Sequence, residues 1–267
     1  MSITAPSIIR IARLSHEGMD VAAALRDGGV TDIYAIPAKA VPLYGMVTLG
    51  RIERLMAKSA IVDIGSAGQA WLAPTPGDMA AGDTLKLRVV AEAAPGKLPR
   101  ILRAEDDAQE TRPALTVLER ALEDHPGAII LESPSEEDET AIENALREIS
   151  TPYAPLPEGG SLMIEPTSAL VAVDVNAGSM RGLNAVNAAA VKALARHMRW
   201  RQLCGLIVMD CAGSITNAAN RASLLDLLKS TFADDPAGVH VHGLSKLGLA
   251  EITRTRRGWS WHEARHL

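Results

Sequence analysis

Near residue 104 the chain changes texture, and that change limits what it can fold into more than any other feature. Upstream, from Tyr44, five short β-prone runs follow one another: Met46–Leu55, Ser59–Ile64, Gln69–Ala73, Thr84–Ala91 and Lys97–Arg103. None carries a helical period, and turns such as Pro74–Gly77 and Pro95-Gly96 separate them. Five strands in about 60 residues predict a small barrel of the OB type. Ahead of them, Val21–Leu25 and Val30–Ile36 flank Arg26-Asp27-Gly28-Gly29, the pattern of a hairpin.

Downstream the apolar spacing turns helical. Pro113 opens the run Ala114–Glu123, in which Leu115, Leu118 and Leu122 keep one helix face. A short apolar strand, Ala128–Leu131, precedes an acidic helix from Glu136 to Ile149. Ser135 is its predicted N-cap, with Asp138 three residues on, and acids in a first turn suit the helix dipole. Pro152, Pro155, Pro157 and Gly159-Gly160 then break the chain. Beyond the break come strands Ser161–Glu165 and Ala169–Val175, helix Asn187–Leu203, strand Leu206–Met209, helix Asn217–Phe232 and extended segments over Val239–Arg256. Such alternation predicts an α/β layer. The segments expected are 1–40, 41–105, 106–155 and 156–267.

Composition removes several classes of protein. Apolar residues make up 47% and charged residues 22%, which excludes disordered and collagen-like chains. No apolar run reaches the roughly 18–20 residues of a membrane span, and Met1–Pro6 lacks the basic, apolar pattern of a signal peptide. A cytoplasmic protein without a membrane partner is expected. Cys204 and Cys211 are too few for a disulfide framework or a four-cysteine zinc site. The net charge of −5 hides an asymmetry: residues 101–150 hold 14 acids and four arginines, whereas residues 187–267 hold 11 Lys/Arg and six acids. A basic C-terminal third either attracts phosphates or is a set of solvated faces, the commoner case for such runs.

Two apolar runs end alike, Leu170-Val-Ala-Val-Asp174-Val-Asn176 and Leu206-Ile-Val-Met-Asp210. If these strands are neighbours, the carboxylates meet at the edge where open sheets bind ligands. Adjacent carboxylates repel unless a cation or proton separates them, and Mg²⁺ with oxygen ligands and waters fits. The alternative is an aspartate that merely caps a turn. Lys192, Arg196 and Arg199 form a basic stripe on the intervening helix, either a solvated face or a phosphate contact. His262-Glu-Ala-Arg-His266 has the HExxH spacing but no third ligand after it, so a zinc protease site is not expected. His240 and His242 share a strand face without clustered partners, and the cysteines read as small buried residues.

From these residues the C-terminal half resembles the catalytic domain of the ribonuclease E/G family. The matching stretches are Pro157–Leu170, Val173–Gly178, Asn187–Asp210 and Leu247–Arg256, about 100 residues in the family's order. The predicted barrel is similar to the family's S1 RNA-binding domain at Gly50–Arg54, Ala60–Gly65 and Trp71-Leu72. The resemblance implies a fold class of α/β with a small S1/OB-like β-barrel plus a deoxyribonuclease I-like α/β catalytic domain. It implies that Asp174 and Asp210 bind catalytic Mg²⁺, with Mn²⁺ as a substitute, and that Asn176 supports them. Trp71 and Lys97 would contact single-stranded RNA, with Lys192, Arg196 and Arg199 along its backbone; the alternative for Trp71 is a core residue of the barrel, since large aromatics are mostly buried.

The chain also departs from the family's pattern. Ser168 stands where the family has Glu, Asp210-Cys-Ala-Gly-Ser replaces a more acidic and aromatic stretch, and Ile61 replaces an aromatic. The loop from Asn176 to Asn187 is short and has lost its acids, and no segment matches the family's sensor of a 5′-monophosphate. The paired cysteines of the family's zinc link are missing, so zinc is not expected and a monomer or weak dimer is. Two readings follow: a Mg²⁺-dependent endoribonuclease, or an RNA-binding protein that keeps the fold without turnover.

Overall fold

Two tight turns start the fold. In a computed structural model, which describes residues 8–75, 77, 79–104, 111–213 and 217–267, strands β1 (Arg10–His16), β2 (Met19–Arg26) and β3 (Gly29–Pro37) form an antiparallel meander. Its two-residue loops, Glu17-Gly18 and Asp27-Gly28, all have positive φ, the backbone that matches the twist of a hairpin. The β2–β3 hairpin agrees with the sequence, whereas β1 was not foreseen. Arg10, Arg13 and Ser15 dilute its apolar pattern, and only pairing with β2 makes it a strand.

The five expected strands follow: β4 (Val47–Leu55), β5 (Ala60–Asp63), β6 (Gln69–Leu72), β7 (Thr84–Ala91) and β8 (Arg100–Arg103). They close into a barrel in the order β4-β5-β6-β8-β7 around Ile52, Val62, Leu72, Leu87, Val89 and Ile101. The chain then returns to the first sheet. Helix α1 (Val117–Asp124) starts at a Thr116 capping box, and β9 (Ile129–Leu131) pairs in parallel with β1. Helix α2 (Glu136–Ile149) starts at Ser135, whose hydroxyl accepts from the Asp138 N–H while the Asp138 carboxylate accepts in return. The sheet β3-β2-β1-β9 buries one face under α1 (Val117, Ala121) and the other under α2 (Ile142, Leu146, Ile149). The barrel is therefore inserted between the third strand and first helix of one two-sided layer.

The remainder forms a six-stranded sheet. Its strands are β10 (Tyr153–Pro155), β11 (Ser161–Pro166), β12 (Val171–Asn176), β13 (Gly205–Asp210), β14 (Val239–Leu244) and β15 (Leu249–Arg254), in the order β10-β11-β12-β13-β15-β14. Strand β10 lies inside the proline-rich break, its edge position tolerating Pro155. Only β12 and β13 pair in parallel, and α3 (Leu183–Trp200) makes the crossover between them. That helix starts before the expected Asn187, with Gly182 as N-cap, and stops before Leu203. With α4 (Ala218–Phe232) it covers one face of the sheet, where Leu162, Ile164, Val171, Val173, Ile207, Met209, Ala250 and Ile252 meet Ala190, Leu194, Leu224 and Leu228. A final turn, α5 (Trp261–Ala264), sits against the α2 side of the first sheet through Trp261.

No helix among the described residues is long and apolar enough to cross a membrane. The segment Met1–Pro6, the acids from Glu105 to Glu110, Pro76 and Ser214 lie outside the described residues.

Candidate active site

In a strand, side chains alternate between the faces of the sheet. Val171, Val173, Ile207 and Met209 point into the helical core, so Ala172, Asp174, Val208 and Asp210 point the other way. No helix among the described residues covers that outer face: Glu165, Asp174, Asp210 and Glu251 are exposed along it. The parallel register pairs Asp174 directly with Asp210 at the carboxyl ends of β12 and β13. Neighbouring strands lie about 4.8 Å apart, so the two carboxylates stand side by side on one surface. The expected crevice beyond the strand ends is thus a position on the open sheet face.

Neither carboxylate enters a hydrogen bond or ion pair among the described residues. Two uncompensated, adjacent negative charges are an unfavourable arrangement that a cation relieves. Two carboxylates with free lone pairs and open access to water match a hard divalent ion that retains several waters. No third His, Cys, Asp or Glu lies close enough to complete a cluster among the described residues.

The loops that follow each aspartate are held by specific contacts. Asn176 Oδ1 accepts from the Gly178 N–H at 2.9 Å and closes the turn after β12, so its carboxamide acts on the backbone. Gly178 has φ of 57°, and a Cβ there would meet the Gly159 carbonyl at 2.5 Å; only glycine lets the two loops touch. Ser179 Oγ then donates to the Glu158 carbonyl at 2.6 Å. On the other side Asn187, buried on the first turns of α3, donates to the Ala212 carbonyl (3.1 Å) and accepts from the Ala212 N–H (2.8 Å). This pins the chain two residues past Asp210. Sequence reading treated Asn187 only as the start of a helix; the signal for more was a carboxamide on a face otherwise made of Val186, Ala190 and Val191.

The basic stripe does not survive as a unit. Lys192 is exposed, but Arg196 bonds Glu148 (3.3 Å) and lies over the Trp200 ring. Arg199 makes a bidentate pair with Asp32, both contacts 2.6 Å, and is therefore an internal cation rather than part of a phosphate-facing stripe. The pair is demanding. Burial would raise the Asp32 carboxyl, but hydrogen bonds from His125 and Arg199 hold it well below the carboxylate range. Arg196 and Arg199 also sit toward the C-terminal end of α3, about 20 and 24 Å along the helix from its first residue, Leu183.

On the barrel, Trp71 is 42% exposed, which places its ring on the outer wall and not in the barrel core. The pairing of β5, β6 and β8 sets Ile61, Trp71 and Arg100 in one lateral row, and Arg54 extends it on β4. Arg54 and Arg100 went unnoticed in the sequence because the row exists only across strands. Lys97 is exposed just before β8. The structure thus brings Asp174 and Asp210 together, with Asn176 on the adjoining turn, and keeps Trp71 and Lys97 on a separate barrel surface.

Other candidates resolve into structure. Glu263 of the HExxH stretch caps α5 through Ser260 and pairs with Arg256 at 3.0 Å. His240 and His242 stack edge-on on β14, 4.5 Å between centroids. Burial raises the thiols of Cys204 and Cys211, the latter to about 11, so neither is poised as a thiolate. Ser168 lies in the turn before β12, six residues ahead of Asp174, with about 10 Å of strand between that turn and the aspartate.

Comparison with known proteins follows the same geography. The family model for the Ribonuclease E/G family matches residues 68–257, from the middle of the barrel past β15. Among curated proteins, the chain is 35% identical over 129 residues to ribonuclease E of Nostoc sp. (strain PCC 7120), covering 46% of this chain and 19% of that protein. It is 36% identical over 124 residues to the chloroplastic ribonuclease E/G-like protein of Arabidopsis thaliana (43% and 12%). It is 33% identical over 122 residues to ribonuclease G of Escherichia coli K12 (43% and 25%). The match therefore spans a quarter or less of each of these relatives. With 190 of its 267 residues inside the family model, the chain belongs to the ribonuclease E/G family.

Proposed function

We propose that the chain is a metal-dependent endoribonuclease that cleaves single-stranded RNA. The observation that carries this reading is the register pairing of Asp174 with Asp210, without a cationic partner among the described residues, on an open sheet face. The relatives' names, ribonuclease E and ribonuclease G, support the same reaction class. Asp174 and Asp210 would hold Mg²⁺ or Mn²⁺, and such an ion supplies an activated water and stabilises charge on the phosphoryl oxygens. The chain's own part is to fix both carboxylates in one plane. Asn176 and Gly178 set the exit of β12, and Asn187 sets the exit of β13, so the spacing is held from both sides.

Trp71 gives a flat ring on which a base stacks, and Arg54, Arg100 and Lys97 surround it with positive charge. Stacking of that kind tolerates any base, which favours single strands over a paired duplex. The test is cleavage of a fluorescent single-stranded RNA with Mg²⁺ or EDTA by the wild type, Asp174→Asn and Asp210→Asn. Equal cleavage by all three proteins would place the activity elsewhere.

One observation favours the second reading, RNA binding without turnover: only two carboxylates converge, with no third ligand among the described residues. Calorimetric titration of Mg²⁺, followed by RNA binding with and without it, separates the two. Tight RNA binding with no cleavage under any divalent ion selects the second. For assembly we propose a monomer or weak dimer without a zinc link. Light scattering before and after a strong zinc chelator should give the same mass.

A further inference from the structure

The turn between β14 and β15 stands at the same end of the sheet as the two aspartates. Leu249 on β15 pairs with Asp210, and Ser245 closes the turn opposite Leu249, its N–H donating to the Leu249 carbonyl at 2.8 Å. Asp174, Asp210, Leu249 and Ser245 therefore occupy one lateral row. At about 4.8 Å per strand, Ser245 lies roughly 10 Å from Asp210. Lys246 and Leu247 follow at the tip of the turn. Lys246 is exposed and has no hydrogen bond or ion pair among the described residues. Leu247 is 86% exposed, more than any other large apolar side chain among them.

The turn is braced from behind. Arg221 on α4 donates from Nη2 to the carbonyls of Leu244 (2.7 Å) and Ser245 (2.8 Å). Ser245 Oγ accepts from the N–H groups of Leu247 (3.2 Å) and Leu249 (3.1 Å), and the Gly248 N–H donates to the Ser245 carbonyl (3.1 Å). These bonds hold a cation and an apolar side chain out in water beside the carboxylate row. The sheet face next to them carries exposed Glu165, Asp174, Asp210 and Glu251, which repel a polyanion unless positive charge flanks them. Arg196 and Arg199 do not supply that charge, because Glu148 and Asp32 engage them. Lys246 is unengaged, and its ammonium rides on a flexible four-carbon stem.

We infer that the Lys246-Leu247 tip is an RNA contact. The Lys246 ammonium meets a phosphate neighbouring the one at the carboxylates, and Leu247 packs against the sugar or base of that nucleotide. The inference rests on the reading of this sheet face as the one that meets RNA. A point charge on the backbone positions the strand without reading its sequence. The tip therefore sets where the strand lies, and base stacking stays on the barrel.

The experiment titrates a fluorescent single-stranded RNA into the full chain in EDTA over a series of salt concentrations. The proteins are the wild type, Lys246→Ala, Lys246→Arg, Leu247→Ala and Lys229→Ala. Lys229 is an exposed control on α4, about 16 Å of helix beyond its first residue. Lys246→Ala should reduce the slope of log affinity against log salt by about 0.7, the release from one phosphate of a single strand. It should weaken binding alike for unrelated RNA sequences. Lys246→Arg should restore the slope, and Lys229→Ala should leave it unchanged. Leu247→Ala should weaken binding at every salt concentration without altering the slope. A slope unchanged in Lys246→Ala, an equal fall in Lys229→Ala, or wild-type affinity in Leu247→Ala would each overturn the inference and leave the barrel contact standing. Wild type that binds RNA in EDTA but leaves it intact in Mg²⁺ would overturn the cleavage reading instead, with the contact of the turn still visible in the slope.

Discussion

The two ends of α3 are built on opposite electrostatic rules. Near its start, Asp174 and Asp210 stand exposed in one register row, without a partner among the described residues. At its end, Arg196, His197, Arg199 and Arg201 are all engaged, with Glu148, Asp32 and neighbouring carbonyls. The charges at the far end hold α3 to the first sheet: Arg199 reaches Asp32 on β3, and the Trp200 indole donates to the Val30 carbonyl at 3.0 Å. The lesson is that charge in a sequence carries no role until its partners are known. Satisfied charge at one end fixes the layers, whereas the two carboxylates at the other have no partner among the described residues.

The largest effect expected is on stability. Asp32→Ala should leave His125 and Arg199 without their carboxylate and cost about 3–5 kcal/mol, read by denaturant unfolding. Arg199→Ala should likewise lower stability while leaving the salt dependence of RNA binding unchanged. A flattened salt slope would return Arg199 to the phosphate surface. Next, Asp210→Asn should lower cleavage by at least about 100-fold with little change in melting temperature, since even residues that only orient metal ligands cost 10–100-fold. A large fall in stability instead would mean that the pair is structural.

Trp71→Ala should weaken single-stranded RNA binding by about 5- to 150-fold, the range of one base stack. Its melting temperature should stay close to that of the wild type, because the ring is exposed. A steep fall in melting temperature would put the ring back in the barrel core. The smallest effect concerns His197, whose imidazole burial holds below its ordinary value despite the hydrogen bond to Glu148. The unfolded chain then takes up the proton first as the pH falls through about 6.5, so stability declines with acidification from there. Thermal melts at pH 7.5 and 5.5 should show this decline, and His197→Gln should reduce it.

Much of the fold was legible because its signals are local. The five barrel strands are bounded by proline and glycine, the β2–β3 hairpin by Asp27-Gly28, and α2 by Ser135 with Asp138 three residues on. Each of these depends on residues within a few positions of one another. The strands missed, β1 and β10, have weak patterns of their own and exist because a neighbour offers hydrogen bonds.

By itself the sequence determined that two apolar strands each end in an aspartate, and that Trp71 falls in a barrel strand; the exposure of its ring came only with the structure. Only the tertiary structure decided that those strands are adjacent, parallel and in register, so that Asp174 faces Asp210. It alone decided that Arg199 belongs to Asp32, 167 residues away, and that Arg54, Ile61, Trp71 and Arg100 form one row. The reason is physical. Alternation along a strand and caps on a helix are set by nearby backbone geometry. Register across strands and the pairing of buried charges are set by which faces are buried together, and that is settled only when distant segments pack.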